Sequence, residues 1–283
     1  MKPRYLIIGM GAAGVSAAEA IRDASAEAEI TLIGDERVGF YSRPGLAYYL
    51  TQEIPEKHFF PFGKEDFQRL RLQILHARVV DIAPQEHYVT LHDGRKLAYD
   101  RLLIATGASA AQPSLPNTKK LQGIVKLDNY ADAQDIRKLS RRARAAVVIG
   151  GGITALEIVE GLQENGVKTH YFLRGERYWG NVLDEAESRI IENRLKEEGV
   201  DIHYHTEAEE ILEKRGKVVG VRTKAGQQIK CSIVAYAIGI RPRIKLAESI
   251  GLQIERGILV NEFMQSSIPD IFAAGDVAQV FDP

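Results

Sequence analysis

The feature that most constrains the fold is a glycine pattern near the N-terminus, Gly9-x-Gly11-x-x-Gly14. It follows an apolar run at residues 5–8 and precedes an alanine-rich stretch at residues 15–21, and another apolar run lies at residues 29–33. This order predicts strand, glycine turn, helix and strand, which is one βαβ unit. In such a unit the glycines allow a tight turn, close approach of the backbone to a diphosphate, and close helix–strand packing. The N-terminus of the helix then directs its amide groups at the phosphates.

An acidic residue is expected at the end of the second strand, where it accepts a hydrogen bond from a ribose hydroxyl. Asp35, followed by Glu36, has this position. A glycine turn of this kind can also serve only helix–strand packing, and the spacing alone is a weak signal. The flanking strand, helix and acid favour a dinucleotide-binding unit.

The same order of elements occurs again about 140 residues later. An apolar run at residues 145–149 leads into Gly150-x-Gly152-x-x-Ala155, and a helical stretch at residues 153–163 and a strand at residues 169–173 follow. Alanine is accepted at the third position of the pattern. The sequence therefore predicts an α/β fold with two Rossmann-like domains, which bind two dinucleotides, or one dinucleotide and a mimic. The second domain, residues 113–241, is inserted into the first, residues 1–112 and 242–283.

Composition and charge exclude several other classes of protein. The formal net charge of −1 gives no long-range attraction to nucleic acid or to an anionic membrane. A single cysteine, Cys231, rules out an internal disulfide and a cysteine-rich metal site. No signal peptide or apolar run of transmembrane length is present. We expect a cytoplasmic protein that binds neither nucleic acid nor membrane.

With further motifs, the chain resembles the FAD-dependent pyridine nucleotide reductases, which are glutathione-reductase-like flavoproteins. It is most similar to the branch with rubredoxin and ferredoxin reductases and the flavin module of assimilatory nitrite reductase. The resemblance covers essentially the whole chain. Besides the two glycine patterns it rests on Tyr41-Ser42-Arg43-Pro44 and on residues 99–107, 150–157, 237–242 and 271–276.

The resemblance implies a role for individual residues. Gly9, Gly11 and Gly14 would hold the FAD diphosphate, Asp35 the adenosine ribose, and Asp276 the ribityl chain. The full set of expected FAD-binding residues is Gly9, Gly11, Ala12, Ala13, Gly14, Asp35, Glu36, Arg43, Val79, Ala105, Thr106, Gly107, Gly275 and Asp276. The expected nicotinamide dinucleotide-binding residues are Gly150, Gly152, Ile153, Leu173, Arg174 and Gly239. Glu157 is the candidate catalytic residue, near the nicotinamide and the flavin edge; the alternative is a helix-surface carboxylate.

The sequence departs from the family pattern where redox cysteines occur. Pro44 lies at the position of the single cysteine of NADH oxidases and peroxidases, and proline cannot replace a thiolate nucleophile. Disulfide reduction and cysteine sulfenate chemistry are therefore excluded, and Cys231 is expected to be a small buried hydrophobic residue. Tyr48 stands where many ferredoxin reductases have a lysine that pairs with the glutamate matching Glu157.

A second departure concerns the nicotinamide dinucleotide. The usual ribose-binding acid is replaced by Leu173, which Arg174 follows, and an arginine can meet the 2′-phosphate of NADPH. An arginine near this strand end also occurs in NADH users of the family. The hypothesis is that NADPH is used at least as well as NADH.

The function that we expect is that of an FAD-dependent NAD(P)H oxidoreductase. A hydride passes from NAD(P)H to FAD, and electrons then pass to a rubredoxin-like or ferredoxin-like protein or to a fused metal centre. The alternatives are an NAD(P)H oxidase that uses O₂ and a non-catalytic redox sensor or scaffold module.

Two further expectations concern the C-terminal region and a pair of histidines. The chain continues for seven residues after Asp276, so the C-terminal domain of such proteins is expected to be absent, with any homodimer depending on it. His203 and His205 are expected to alternate on a strand, and without a third ligand nearby no metal site is predicted.

Overall fold

The computed structural model describes residues 2–115 and 121–280. Residues 1, 116–120 and 281–283 of the predicted domain ranges lie outside the described residues. The helices are α1 (Ala12–Ala24), α2 (Gly45–Thr51), α3 (Lys64–Arg69), α4 (Tyr130–Ser140), α5 (Ile153–Glu164), α6 (Glu185–Glu197) and α7 (Lys245–Ser249), with a 3₁₀ turn at Glu56–His58.

The strands lie between these helices, singly or in runs of several. They are β1 (Arg4–Ile8), β2 (Glu29–Gly34), β3 (Leu72–His76), β4 (Val79–Ala83), β5 (Tyr88–Leu91), β6 (Lys96–Ala98), β7 (Arg101–Ile104), β8 (Ala108–Ala110), β9 (Ile124–Val125), β10 (Ala145–Ile149), β11 (Lys168–Phe172), β12 (Asp201–His203), β13 (Ala208–Lys214), β14 (Lys217–Thr223), β15 (Gln228–Lys230), β16 (Ile233–Tyr236), β17 (Ile240–Pro242), β18 (Ile258–Val260), β19 (Ile271–Ala273) and β20 (Ala278–Val280).

The first compact unit comprises Met1–Ser42, Lys57–Ser109 and Arg241–Pro283. Its main sheet has the strand order β19-β7-β1-β2-β3, with all neighbours parallel. Ile7 packs with Val15 and Ala18 of α1 on one face, and Leu6 packs in a second cluster on the other face. This burial on both faces explains why β1 is a continuous apolar run rather than an alternating one.

The second unit comprises Arg43–Glu56 and Ala110–Ile240. Its parallel sheet has the order β12-β11-β10-β16-β9, and β13, β14 and β15 form an antiparallel sheet. A capping box begins α6, because Glu187 N donates to Asp184 Oδ1 and Asp184 N donates to Glu187 Oε2. β13 and β14 form a hairpin whose turn lies at residues 214–217.

One segment groups differently from the predicted ranges. Residues 43–56 belong by their contacts to the second unit, whereas the sequence interpretation placed them within 1–112. The physical reason is that α2 packs on α5: a Cβ added at Gly161 would lie 2.6 Å from the Cβ of Leu50. A residue without a side chain is needed there for the two helices to approach. The assignment of the two units to FAD and to the nicotinamide dinucleotide stays a prediction.

No helix in residues 2–115 and 121–280 combines the length and the apolar character needed to cross a membrane.

Candidate functional site

The first glycine turn joins β1 to α1 at the carboxyl end of the parallel sheet. Gly9 has φ of +124°, and a Cβ added to it would lie 2.0 Å from the carbonyl oxygen of Ala105. A Cβ at Gly14 would lie 2.0 Å from the carbonyl oxygen of Gly9. Both positions therefore require glycine for the packing of the turn itself, before any ligand is considered.

Gly11 has a different role, because a Cβ added there would meet no atom within 4 Å. Gly11 is the N-cap residue of α1, no side chain caps the helix, and the first turn has no acidic residue. The helix therefore begins with uncapped amide groups at the positive end of its dipole, and the space beside Gly11 is open. This arrangement fits a diphosphate, since phosphate binds helix N-termini of this kind.

Two other predicted segments of the first unit lie near this turn. Ala105 follows β7, donates its amide to the carbonyl oxygen of Ile8 at 2.8 Å, and contacts Gly9 through its own carbonyl oxygen. Gly275 follows β19, and a Cβ added there would lie 3.0 Å from the Cβ of Ala13. Asp276 is exposed beside it. The structure therefore brings the N-terminal, central and C-terminal motifs together at one edge of the sheet.

The backbone after β7 is held by a residue that the sequence analysis missed. Thr106 Oγ1 donates to the carbonyl oxygen of Arg243 at 3.1 Å, and Arg243 Nη1 donates to the carbonyl oxygen of Thr106 at 3.3 Å. The amide of Arg243 also donates to the carbonyl oxygen of Gly107 at 2.9 Å. The residues are 137 positions apart, so no local pattern connects them.

The acids after β2 have partners of their own. Asp35 is exposed and lies 3.5 Å from Arg78 Nη2, while Glu36 Oε2 accepts a hydrogen bond from Tyr41 Oη at 2.6 Å. Val79, at the start of β4, has its side chain in the core, so only its backbone is available to a ligand. Sequence reasoning missed Arg78, although its position directly before Val79 was a usable signal.

Arg43 belongs to the second unit, where its guanidinium donates to the carbonyl oxygen of Asp128. Asp128 also accepts from the amide of Ala110 at 2.7 Å and pairs with Lys126. Lys126 and Asp132 line a cavity of about 250 Å³, and burial raises the pKa of Asp132. Sequence analysis missed this charged group, because it is scattered among apolar residues that read as ordinary strand and helix positions.

The second glycine turn repeats the geometry of the first. Gly150 has φ of +151°, and a Cβ added to it would lie 2.2 Å from the carbonyl oxygen of Ala237. Gly152 is the N-cap of α5, again without a side-chain cap or an acid in the first turn, and Ala155 is fully buried. Ile153 is half exposed at the start of the helix. This helix N-terminus is also suited to a phosphate group.

The residues after β11 differ in exposure. Leu173 is buried and exchanges backbone hydrogen bonds with His203 and Thr206, so its side chain points into the core. Arg174 is exposed. Arg177 is held by Glu176 Oε1 at 2.8 Å and by the carbonyl oxygen of Gly180 at 3.0 Å. Arg174 is therefore the better-placed cation of the two for an anionic ligand.

Gly239, between β16 and β17, leaves open space, with no atom within 4 Å of an added Cβ.

Glu157 is half-buried on α5, one helical turn beyond the glycine turn. Desolvation, and secondly the charge of Glu160, raises the pKa of its carboxyl group. Tyr48, predicted to replace a lysine, is half exposed on α2. A partly desolvated carboxylate is costly for stability and is typical of functional positions.

We expect Glu157→Gln to raise the melting temperature slightly at pH 7 and to leave it unchanged below about pH 4. A raised folded-state pKa means that ionisation destabilises the fold, and this cost appears only as the pH rises through the folded pKa. Thermal unfolding at both pH values measures it, with exposed Glu262→Gln as the control. An equal gain at both pH values would contradict this explanation.

Two positions bear on thiol chemistry. Pro44 is the N-cap of the short helix α2. Cys231 lies between β15 and β16 and is buried in an apolar cluster, as expected, and desolvation raises its pKa to about 12. The thiol is therefore protonated at neutral pH and unsuited to act as a nucleophile.

The structure corrects the interpretation of the two histidines. β12 ends at His203, and His205 lies beyond it with φ of 49°, so the two do not alternate along one strand. His203 instead lies beside His170 and Asp201, with the three ligand atoms within 4.8 Å of one another. The prediction of no metal site rested on the lack of a third ligand near His203, and that premise is wrong. His170 is 33 residues away, and only the pairing of β11 with β12 brings it there.

Comparisons with known proteins agree with this geometry. Residues 3–282 match the family model of the pyridine nucleotide-disulphide oxidoreductases. The chain is 28% identical over 282 residues to a rubredoxin-NAD(+) reductase of Ectopseudomonas oleovorans, covering 98% of this chain and 72% of that protein. It is 32% identical over 285 residues to the ferredoxin–NAD(+) reductase component of the 3-phenylpropionate/cinnamic acid dioxygenase of Photorhabdus laumondii, covering 99% and 71%.

A solved structure gives the same result. The fold is similar to that in the covalent putidaredoxin reductase–putidaredoxin complex, with a TM-score of 0.93, 30% identity, and coverage of 99% of this chain and 69% of that one. The α/β fold class and the resemblance stated from the sequence motifs are thus confirmed. The chain belongs to the pyridine nucleotide-disulphide oxidoreductase family, and it is an NAD(P)H oxidoreductase.

Proposed function

We propose that the protein takes a hydride from NAD(P)H onto FAD and delivers electrons to a small redox protein of the rubredoxin or ferredoxin type. The observation that carries the proposal is the pair of uncapped helix N-termini at Gly11 and Gly152, each beside a glycine turn and free of acidic residues. Each fits the diphosphate of one dinucleotide. FAD supplies the redox chemistry when it is bound, and the protein supplies binding and orientation.

In this proposal the first unit holds FAD. The amides of Ala12, Ala13 and Gly14 face the diphosphate, Asp35 accepts a hydrogen bond from the adenosine ribose, and Val79 offers its backbone to the adenine. The exposed Asp276 hydrogen-bonds the ribityl chain. The convergence of these motifs at one edge of the sheet supports the assignment, because ligands of open α/β sheets bind outside the carboxyl ends of the strands.

The second unit holds the nicotinamide dinucleotide in the same way, with Gly152 and Ile153 at the diphosphate and Glu157 toward the nicotinamide. The exposed Arg174 and the lack of a carboxylate at the end of β11 favour a 2′-phosphate. NADPH is then used at least as well as NADH. A kcat/KM at least a hundredfold higher with NADH would overturn this preference.

The acceptor is proposed from two lines of support. The only cysteine is buried and protonated, so no thiol relays the electrons. Two relatives at about 30% identity are, by name, reductases of rubredoxin and of ferredoxin, and one related reductase was solved in a covalent complex with putidaredoxin.

The test is anaerobic mixing of the purified yellow protein with NADPH or NADH. Bleaching of the flavin absorbance, followed by its return when oxidised ferredoxin or rubredoxin is added, is the expected result. A colourless protein that rebinds no FAD, or a flavin that neither nicotinamide reduces, would overturn the proposal. Rapid, stoichiometric NAD(P)H consumption in air, with no faster turnover on adding either acceptor, would instead identify an oxidase.

A further inference from the structure

A side-chain cluster outside both glycine turns lies on the sheet edge of the second unit. β12 is the edge strand of its sheet and pairs in parallel with β11, with His170 opposite Asp201. Side chains of a strand alternate between its faces, so Asp201 and His203, two residues apart, point to the same side. The register places His170 on that side as well. Neither glycine turn uses these residues.

The ligand atoms of the cluster are close together. His170 Nδ1 lies 3.1 Å from His203 Nε2 and 3.1 Å from Asp201 Oδ2, and His203 Nε2 lies 3.4 Å from Asp201 Oδ2. The two imidazoles are mostly buried, with 13% and 15% of their side chains exposed, whereas Asp201 is 49% exposed. The two imidazoles are therefore held by the surrounding protein, and solvent reaches the cluster at the Asp201 carboxylate.

These distances are close to those between ligands of one small divalent ion. Zinc binds imidazole nitrogen and carboxylate oxygen at about 2.0–2.2 Å, which separates two ligands of a tetrahedral site by about 3.3–3.6 Å. A triangle with the observed edges has a circumscribed radius of about 1.9 Å, so a point just outside its plane lies about 2.1 Å from all three atoms. One ion therefore fits by distance when the two separations of 3.1 Å widen by a few tenths of an ångström.

The chemistry of the ligands narrows the choice of ion. Two imidazoles with one carboxylate suit zinc and its first-row neighbours, whereas magnesium and calcium prefer oxygen ligands alone. We propose that His170, Asp201 and His203 form a Zn²⁺ site with its fourth position open to solvent. The ion joins the edge strand β12 to β11, and it is independent of the proposed dinucleotide sites.

The test uses untagged protein, with its cofactors as purified, after removal of metals with a chelator. Titration with ZnCl₂ by calorimetry is expected to show one site per chain with a dissociation constant of about 1 µM or lower. Zn²⁺ is also expected to raise the melting temperature, because it binds only the folded cluster. Co²⁺ in place of Zn²⁺ is expected to give the intense visible bands of a four-coordinate site.

The variants separate a zinc site from adventitious binding. His170→Ala and His203→Ala are each expected to weaken Zn²⁺ binding at least a hundredfold, which exceeds the roughly 10–100-fold cost of losing an outer partner of a ligand. Asp201→Asn, at a half-exposed position that tolerates the change, is expected to weaken it at least tenfold. His205→Ala is the matched control and is expected to bind as the wild type does.

Two outcomes would overturn the proposal. Without detectable Zn²⁺ binding by the wild type, the three groups form only a hydrogen-bonded cluster. Undiminished binding by Asp201→Asn and His203→Ala, with far-ultraviolet circular dichroism unchanged, would place the ion elsewhere.

Discussion

Gly11→Ala is expected to fold normally but to be purified with little FAD. The added methyl group meets no protein atom within 4 Å, so the turn can form, but it occupies the space where we propose the diphosphate. Overpacking of this kind costs about 1–3 kcal/mol, which corresponds to a loss of FAD affinity of about 5-fold to 150-fold. Flavin content per chain and FAD titration of the apoprotein measure the effect.

Gly63→Ala is a closely matched control for this variant. Gly63 is also a helix N-cap in extended conformation, with φ of −86° against −81° for Gly11, and an added Cβ would meet only Asp66 Oδ2 at 3.7 Å. Both variants lose the same N-cap preference for glycine over alanine. A difference in flavin content therefore reports on the ligand site alone. Equal flavin content in the two proteins would argue against a diphosphate at Gly11.

Gly9→Ala is expected to fail for another reason. Its Cβ would lie 2.0 Å from the carbonyl oxygen of Ala105, and its φ of +124° is disfavoured for alanine. We expect a loss of folding stability of about 3 kcal/mol or more, with or without FAD. Urea unfolding of the apoprotein distinguishes this variant from Gly11→Ala.

Arg174→Ala is expected to lower kcat/KM for NADPH by about tenfold to a hundredfold and to change kcat/KM for NADH less than about threefold. A hydrogen bond to a charged group contributes about 1.5–3 kcal/mol, and only NADPH has the 2′-phosphate that would receive it. For Arg174→Lys we expect a kcat/KM for NADPH between those of the wild type and Arg174→Ala, because lysine keeps the charge but loses the paired donors of guanidinium. Steady-state kinetics with each nicotinamide measure the ratio.

The control for this series is Arg189→Ala in the same unit. Arg189 is an exposed arginine that pairs with Glu185 one turn away on α6, so its loss removes the same charge away from β11. If Arg174→Ala and Arg189→Ala lower NADPH use equally, the effect is one of overall charge. An unchanged ratio of NADPH to NADH use in Arg174→Ala would remove Arg174 from the proposed site.

Much of the fold could be predicted from the sequence because it is determined by neighbouring residues. Each glycine pattern follows an apolar strand and precedes a stretch of residues that favour helix. Strand, turn and helix can therefore be predicted from consecutive residues. The capping box at Asp184 and Glu187 was predictable for the same reason, since its partners are three positions apart.

Other features depend on residues distant in sequence. The grouping of residues 43–56 with the second unit depends on contact between Leu50 and Gly161. Arg243 reaches the backbone of Thr106 across 137 positions. The histidines show most clearly what sequence spacing cannot predict. Spacing suggests that His203 and His205 act together, whereas the pairing of β11 with β12 brings His203 beside His170.

By itself, the sequence determined the two βαβ units, their helix N-termini and the lack of an available redox thiol, because backbone sterics and hydrophobic burial act over a few neighbouring residues. The tertiary structure decided which distant side chains meet: Gly9 with Ala105, Arg43 with Asp128, and His170 with Asp201 and His203. Those contacts depend on strand order and register, which are set by the packing of the whole unit rather than by any local pattern.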